Sequence, residues 1–175
     1  MKTSSVVAAM LLCAGAHLEA QTQPQPGSGQ AAFATIAGVV KTLKEDPSTD
    51  WSKVDIEALR QHLIDMDDVL LRANVVAKNI PGGVELTVTG SGHTGDAIKR
   101  MLTSHVASLD EVPDLTSSVK TIANGVVTTV VATKTSDAAT VARIRGLGFA
   151  GLLVEGDHHA RHHLMLARGE AMGHR

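Results

Sequence analysis

The sequence predicts an α+β fold: two β-β-α repeats form a four-stranded antiparallel sheet with helices packed on one face, flanked by N-terminal and C-terminal helices. Three observations carry this. Lys78-x-Ile80-x-x-Gly83-Val84-x-x-x-Val88 recurs 42 positions later as Lys120-x-Ile122-x-x-Gly125-Val126-x-x-x-Val130, which marks a duplicated unit. Each copy sets a glycine-bearing turn between two apolar runs, Pro81-Gly-Gly83 in the first and Ala123-Asn-Gly125 in the second. Asn-Gly between apolar runs is the strongest short hairpin signal. Val84-Glu-Leu-Thr-Val-Thr89 alternates, as a strand does when one of its faces is buried.

The elements follow in chain order. Residues 1–20 read as an export signal: Lys2 is the positive start, and Val6-Val-Ala-Ala-Met-Leu-Leu-Cys13 is an apolar run too short to span a bilayer. Cleavage after Ala16 fits the small-x-small rule (Ala14-Gly-Ala16), cleavage after Ala20 in Leu18-Glu-Ala20 is the alternative, and the bulky Leu12 argues against lipidation at Cys13. A polar, Pro/Gly-containing leader occupies residues 21–30, and a short helix and linker occupy residues 31–50. A single domain then spans residues 51–168. Ser52 is the expected N-cap, with Asp55 three residues on, of a helix whose Ile56, Leu59, Leu63 and Met66 share one stripe. The repeats cover about residues 70–110 and 112–150, with helices over 94–109 and 136–148. After Gly148 two readings stand. Either a separate helix capped by Asp157 runs to Arg168, or one glycine-interrupted helix runs from Ala138 to Arg168. Residues 169–175 form a tail.

Function is carried by Gly156-Asp-His-His-Ala-Arg-His-His-Leu-Met165. Four histidines in six positions are rarely needed for packing, and neutral imidazole is the commonest metal ligand near neutral pH. On a helix, His158 falls over His162 and His159 over His163. Neighbouring residues point about 100° apart, so one ion takes one such pair and draws its other ligands from elsewhere. His62 with Met66, and Met101 with His105, supply same-face pairs on two earlier helices. Met165, Met172 and His174 lie nearby, His93 sits in a loop, and His17 becomes the N-terminus if cleavage follows Ala16.

The only cysteine is Cys13, so imidazole and thioether are the ligand types, a copper-like set suited to Cu(I). The bland alternative is that Met66 and Met101 complete apolar stripes and that His105 is a core histidine. The cofactor expected is therefore a transition metal ion, copper or zinc. Haem ranks below it, because no Cys-x-x-Cys-His is present and bulky aromatic walls are lacking.

Other classes recede. A net charge of -2, dispersed Lys and Arg, no tyrosine and only Trp51, Phe33 and Phe149 as aromatics disfavour nucleic-acid binding. Beyond the leader no apolar run is long enough to cross a membrane. Gly90-Ser-Gly-His-Thr-Gly95 fits a dinucleotide pattern but follows a hairpin rather than a parallel βαβ strand. No His-Glu-x-x-His or paired Glu-x-x-His exists, and no general base stands out. The expectation is an exported, periplasmic or secreted, metal-handling protein. A structural or interaction module, forming a homodimer through sheet edges, is the second class, and a metal-dependent enzyme is the third.

Overall fold

A computed structural model describes residues 28–156 and 159–170. The signal and cleavage sites, Cys13, His17, most of the leader, Asp157, His158, Met172 and His174 lie outside the described residues. The elements run α1 (Ser28–Glu45), α2 (Ile56–Arg72), β1 (Asn74–Ile80), β2 (Gly83–Thr89), α3 (His93–Leu109), β3 (Leu115–Ile122), β4 (Gly125–Ala132), α4 (Ala138–Leu152) and α5 (His159–Ala167). The fold is α+β, with one antiparallel sheet of order β1-β2-β4-β3.

The duplication is visible in the hydrogen bonding. Gly83 pairs with Val131, and Gly125 pairs with Thr89, across the central β2–β4 seam. At one end the Ala132 amide donates to the Gly82 carbonyl; at the other the Gly90 amide donates to the Asn124 carbonyl, both at 2.9 Å. A shift of 42 residues maps each bond onto the other, so the two hairpins are related by an approximate twofold axis. The turns are two residues long, Pro81-Gly82 and Ala123-Asn124. Asn-Gly is therefore not the central pair of the second turn, as the sequence suggests. Gly125 is instead the first strand residue, placed where the adjoining strand leaves no space for a side chain.

Val84, Leu86 and Val88 of β2 and Val126, Val130 and Ala132 of β4 form the core face of the sheet. Ala97, Ile98 and Leu102 of α3 and Ile144 and Leu152 of α4 cover it, as the period-2 pattern requires. A second, smaller cluster joins Val39 and Leu43 of α1, Leu59 of α2 and Ala167 of α5. Helix α1 thus begins inside the expected leader, and its apolar stripe docks on α2 and α5. The α5 end is fastened there too: the Asp55 amide donates to the Ala167 carbonyl at 2.8 Å, and Arg168 pairs with Asp46 at 2.7 Å.

One local expectation needs correcting. The N-cap of α2 is Asp55, whose carboxylate accepts from the Ala58 amide at 2.9 Å. Ser52 instead donates to Asp50 within the preceding turn, because the helix starts three residues later than a Ser52 cap allows. Of the two readings after Gly148 the separate helix holds: α4 kinks at Gly148 (φ 56, ψ -160) and runs on to Leu152, and a turn over residues 153–156 precedes α5. That kink directs the α4 C-terminus toward α3 and α5.

Candidate metal centre

Helices α2, α3 and α5 and the end of α4 enclose a cleft of about 1020 Å³. His62 and Met66 line it from α2, Met101 and His105 from α3, His159 and His162 from α5. His163, the remaining described candidate, is buried at 7% exposure beside the same wall. The spacing alone suggested pairs on separate helices; the fold gathers them. Met66, expected in the core, lines the cleft instead, while Met101 both lines the cleft and packs against the sheet core.

The imidazoles touch in a chain. Ring centroids of His62 lie 4.6 Å from His162 and 5.4 Å from His163, both edge to face. His163 lies 6.2 Å from His159, which lies 6.1 Å from His105. Two imidazoles on one tetrahedral ion, at a metal–nitrogen distance of about 2.0–2.1 Å, have centroids about 5 Å apart. The two His62 spacings lie on either side of that value and the other two are about 1 Å longer; among the described residues no group of three or more His, Cys, Asp or Glu side chains is disposed to hold an ion together.

Two of these rings donate to the end of α4. His105 Nε2 lies 2.9 Å from the Leu152 carbonyl and His159 Nε2 lies 2.9 Å from the Leu153 carbonyl. A carbonyl only accepts, so each Nε2 carries a proton and donates it there. The carbonyls belong to the last turn of α4, where helical acceptors lack intrahelical partners. Donation of one ring N–H to a backbone carbonyl is how metal-binding histidines are commonly oriented.

Burial lowers the proton affinity of three of these rings. It pushes His105 below its ordinary value, with the charge of His159 adding to this and the bond to Leu152 opposing it. It lowers His162 in the same way, helped by His159. His163 is pushed from 6.5 down to about 4, by burial first and then by His159 and His162. Its Nε2 is buried and, among the described residues, has no hydrogen-bond partner.

A buried, unpaired ring nitrogen costs about 1–3 kcal/mol. Replacing His163 by Leu is therefore expected to preserve the fold and raise the urea midpoint by the equivalent of about 1 kcal/mol. A loss of stability would mean that the ring is there for packing.

One cluster on the cleft wall was not read from the sequence. Asp65 and Asp68 of α2 are buried, and Arg100 of α3 pairs with Asp65 at 2.9 Å. His93 donates from Nδ1 to Asp68 at 2.8 Å, and Arg72 reaches Asp68 at 2.9 Å. The signal was present as Gln61, Asp65, Asp68 and Arg72, a polar stripe at helical spacing whose burial only the partner helix reveals. Each acid has its cation, so this network joins α2 to α3.

Residues 90–95 form the α3 entry, where a Cβ on Gly95 would sit 2.8 Å from the Gly90 carbonyl oxygen. That close approach, after an antiparallel strand, accounts for the glycines. No protein-family model, no curated protein and no solved structure matches this chain.

Proposed function

We propose that this chain is an exported transition-metal-binding protein that holds copper or zinc in the cleft between α2, α3 and α5. The observation that carries the reading is the chain of five imidazoles, from three helices, converging on one wall around the unpartnered nitrogen of His163. His158, His159, His162 and His163 are the primary ligands, and His62 and His105 complete the composite set. Loading requires the rings to rotate about their side-chain torsions so that nitrogens face a common ion. Neutral imidazole is the ligating form, so the lowered proton affinities retain the metal to a lower pH than free histidine would. Export is supported by the N-terminal pattern of a charged start and a short apolar run.

Haem fits less well. His105 and His159 commit Nε2 to helix carbonyls, which takes that nitrogen from a haem iron. The interaction module is the second reading, favoured by β1, an edge strand on which Val76 is 57% exposed.

The test is to purify the untagged chain in chelator-free buffer and measure bound metals, beside a variant with His158, His159, His162 and His163 all changed to Ala. Stoichiometric copper or zinc that vanishes in the variant is the expected result. Unchanged affinity in the variant would reject the histidine site. An empty wild type that takes up neither ion would move the reading to the interaction module, to be followed by its sedimentation behaviour.

A further inference from the structure

We infer that the cleft is built for cuprous copper, with methionine sulfur as well as imidazole on the ion; this rests on the metal-binding reading above. Three helices each contribute one His and one Met at same-face spacing: His62 with Met66, Met101 with His105, and His162 with Met165. All six side chains line the same cleft. Met66, Met101 and Met165 are the only methionines among the described residues, so every described thioether faces this one space. Gap-filling in the core does not account for that pattern. None of the three belongs to the buried set of either apolar cluster, and Met101 alone packs against one from its edge.

Ligand chemistry then selects the ion. Thioether is soft and binds Cu(I) in preference to Zn(II), which favours imidazole, carboxylate and thiolate. No cysteine occurs among the described residues, so thioether is the only soft sulfur they offer. Charge points the same way. Imidazole and thioether are neutral, and Val69, Leu70, Leu153 and Leu166 give the cleft apolar walls. The cost of removing an ion from water rises with the square of its charge, so a divalent ion pays about four times what a monovalent one does. Of the three carboxylates that also line the cleft, Asp65 is engaged by Arg100, while Asp67, Glu111 and the cation Arg161 complete its charged lining.

The experiment titrates the full chain with Cu(I) under anaerobic conditions against a chromophoric Cu(I) chelator, and separately with Zn(II) against a zinc indicator. Wild type is compared with the Met66→Leu/Met101→Leu/Met165→Leu variant and with the four-histidine variant. The expected outcome is Cu(I) held about 100-fold more tightly than Zn(II), with the Cu(I) preference falling at least about tenfold in the methionine variant while zinc affinity stays the same. Cu(I) affinity unchanged in the methionine variant, but lost in the histidine variant, would overturn the thioether inference and leave the metal site standing. Failure of the wild type to bind either ion would overturn both. Met-to-Leu exchange is ordinarily tolerated. Should the triple variant not fold, X-ray absorption on the Cu(I)-loaded wild type decides: sulfur scatterers support the inference, and a nitrogen-only shell rejects it.

Discussion

Between about pH 6.5 and pH 4.5 the protein is expected to lose on the order of 2–3 kcal/mol of folding stability, and to lose it first at α5. His163 titrates at about 4 when folded and at 6.5 in the unfolded chain. A depressed value means that the unfolded state takes up the proton first. The stabilisation is therefore complete above pH 6.5, declines as pH falls toward 4, and does not change further below that. One pKa unit corresponds to about 1.4 kcal/mol, which sets the size. His105 and His162 are lowered in the same direction and add to the slope. The groups facing His163 give a second proton no relief: His62, His159 and His162 are themselves imidazoles.

Carboxylates do not confuse this window. Asp46 and Asp50 are held below the usual range by hydroxyls of Ser48 and Ser52, Glu57 by Arg60 and Asp137 by Thr140, so their contributions are lost at lower pH. Urea midpoints across the window, on wild type and on His163→Leu, provide the check, with amide exchange comparing α5 and β2. A flat profile in wild type would sink the prediction, as would a slope that His163→Leu leaves untouched.

Substituting alanine at either seam glycine should be the most damaging single change in the fold, costing more than about 4 kcal/mol. A Cβ on Gly125 would lie 2.0 Å from the Val88 carbonyl oxygen, and one on Gly83 would lie 2.0 Å from that of Val130. Both obstacles are backbone in the paired central strand, so relief requires parting β2 from β4. The two positions are equivalent under the 42-residue shift, and the two variants should fail alike. Gly146→Ala is the control. Nothing lies within 4 Å of its Cβ and it sits within α4, so a gain of about 0.5–1 kcal/mol is expected from helix propensity. Chemical denaturation followed by circular dichroism measures all three. A Gly125→Ala protein within about 0.5 kcal/mol of wild type would show that the seam yields more easily than its geometry implies.

The sheet was legible in the sequence because period-2 alternation and glycine placement are local signals, repeated in two copies. The histidine and methionine spacings were legible for the same reason. Their convergence was not. His62, His105 and His159 meet only because α4 kinks at Gly148 and α5 docks on α1 and α2, and no local pattern encodes that packing. The misplaced N-cap shows the smaller version of the problem. Ser52 and Asp55 are both good caps, and the choice between them depends on the Asp50–Ser52 turn and on the Ala167 carbonyl that receives the Asp55 amide. The burial of Asp65 and Asp68 likewise becomes evident only with Arg100 and His93 opposite them.

The small α1–α2–α5 cluster has a further consequence. It joins the two ends of the described chain, and only Val39, Leu43, Leu59 and Ala167 form its buried part. His62 and His163 stand 101 positions apart in sequence, yet their rings are neighbours in the cleft. An ion bridging them would close a loop of that length, and long loops are where a cross-link removes the most entropy from the unfolded chain. In a domain whose described residues include no cysteine, the metal would then be the staple that a disulfide provides in others, reversible and fastened beside the packing of α1, α2 and α5.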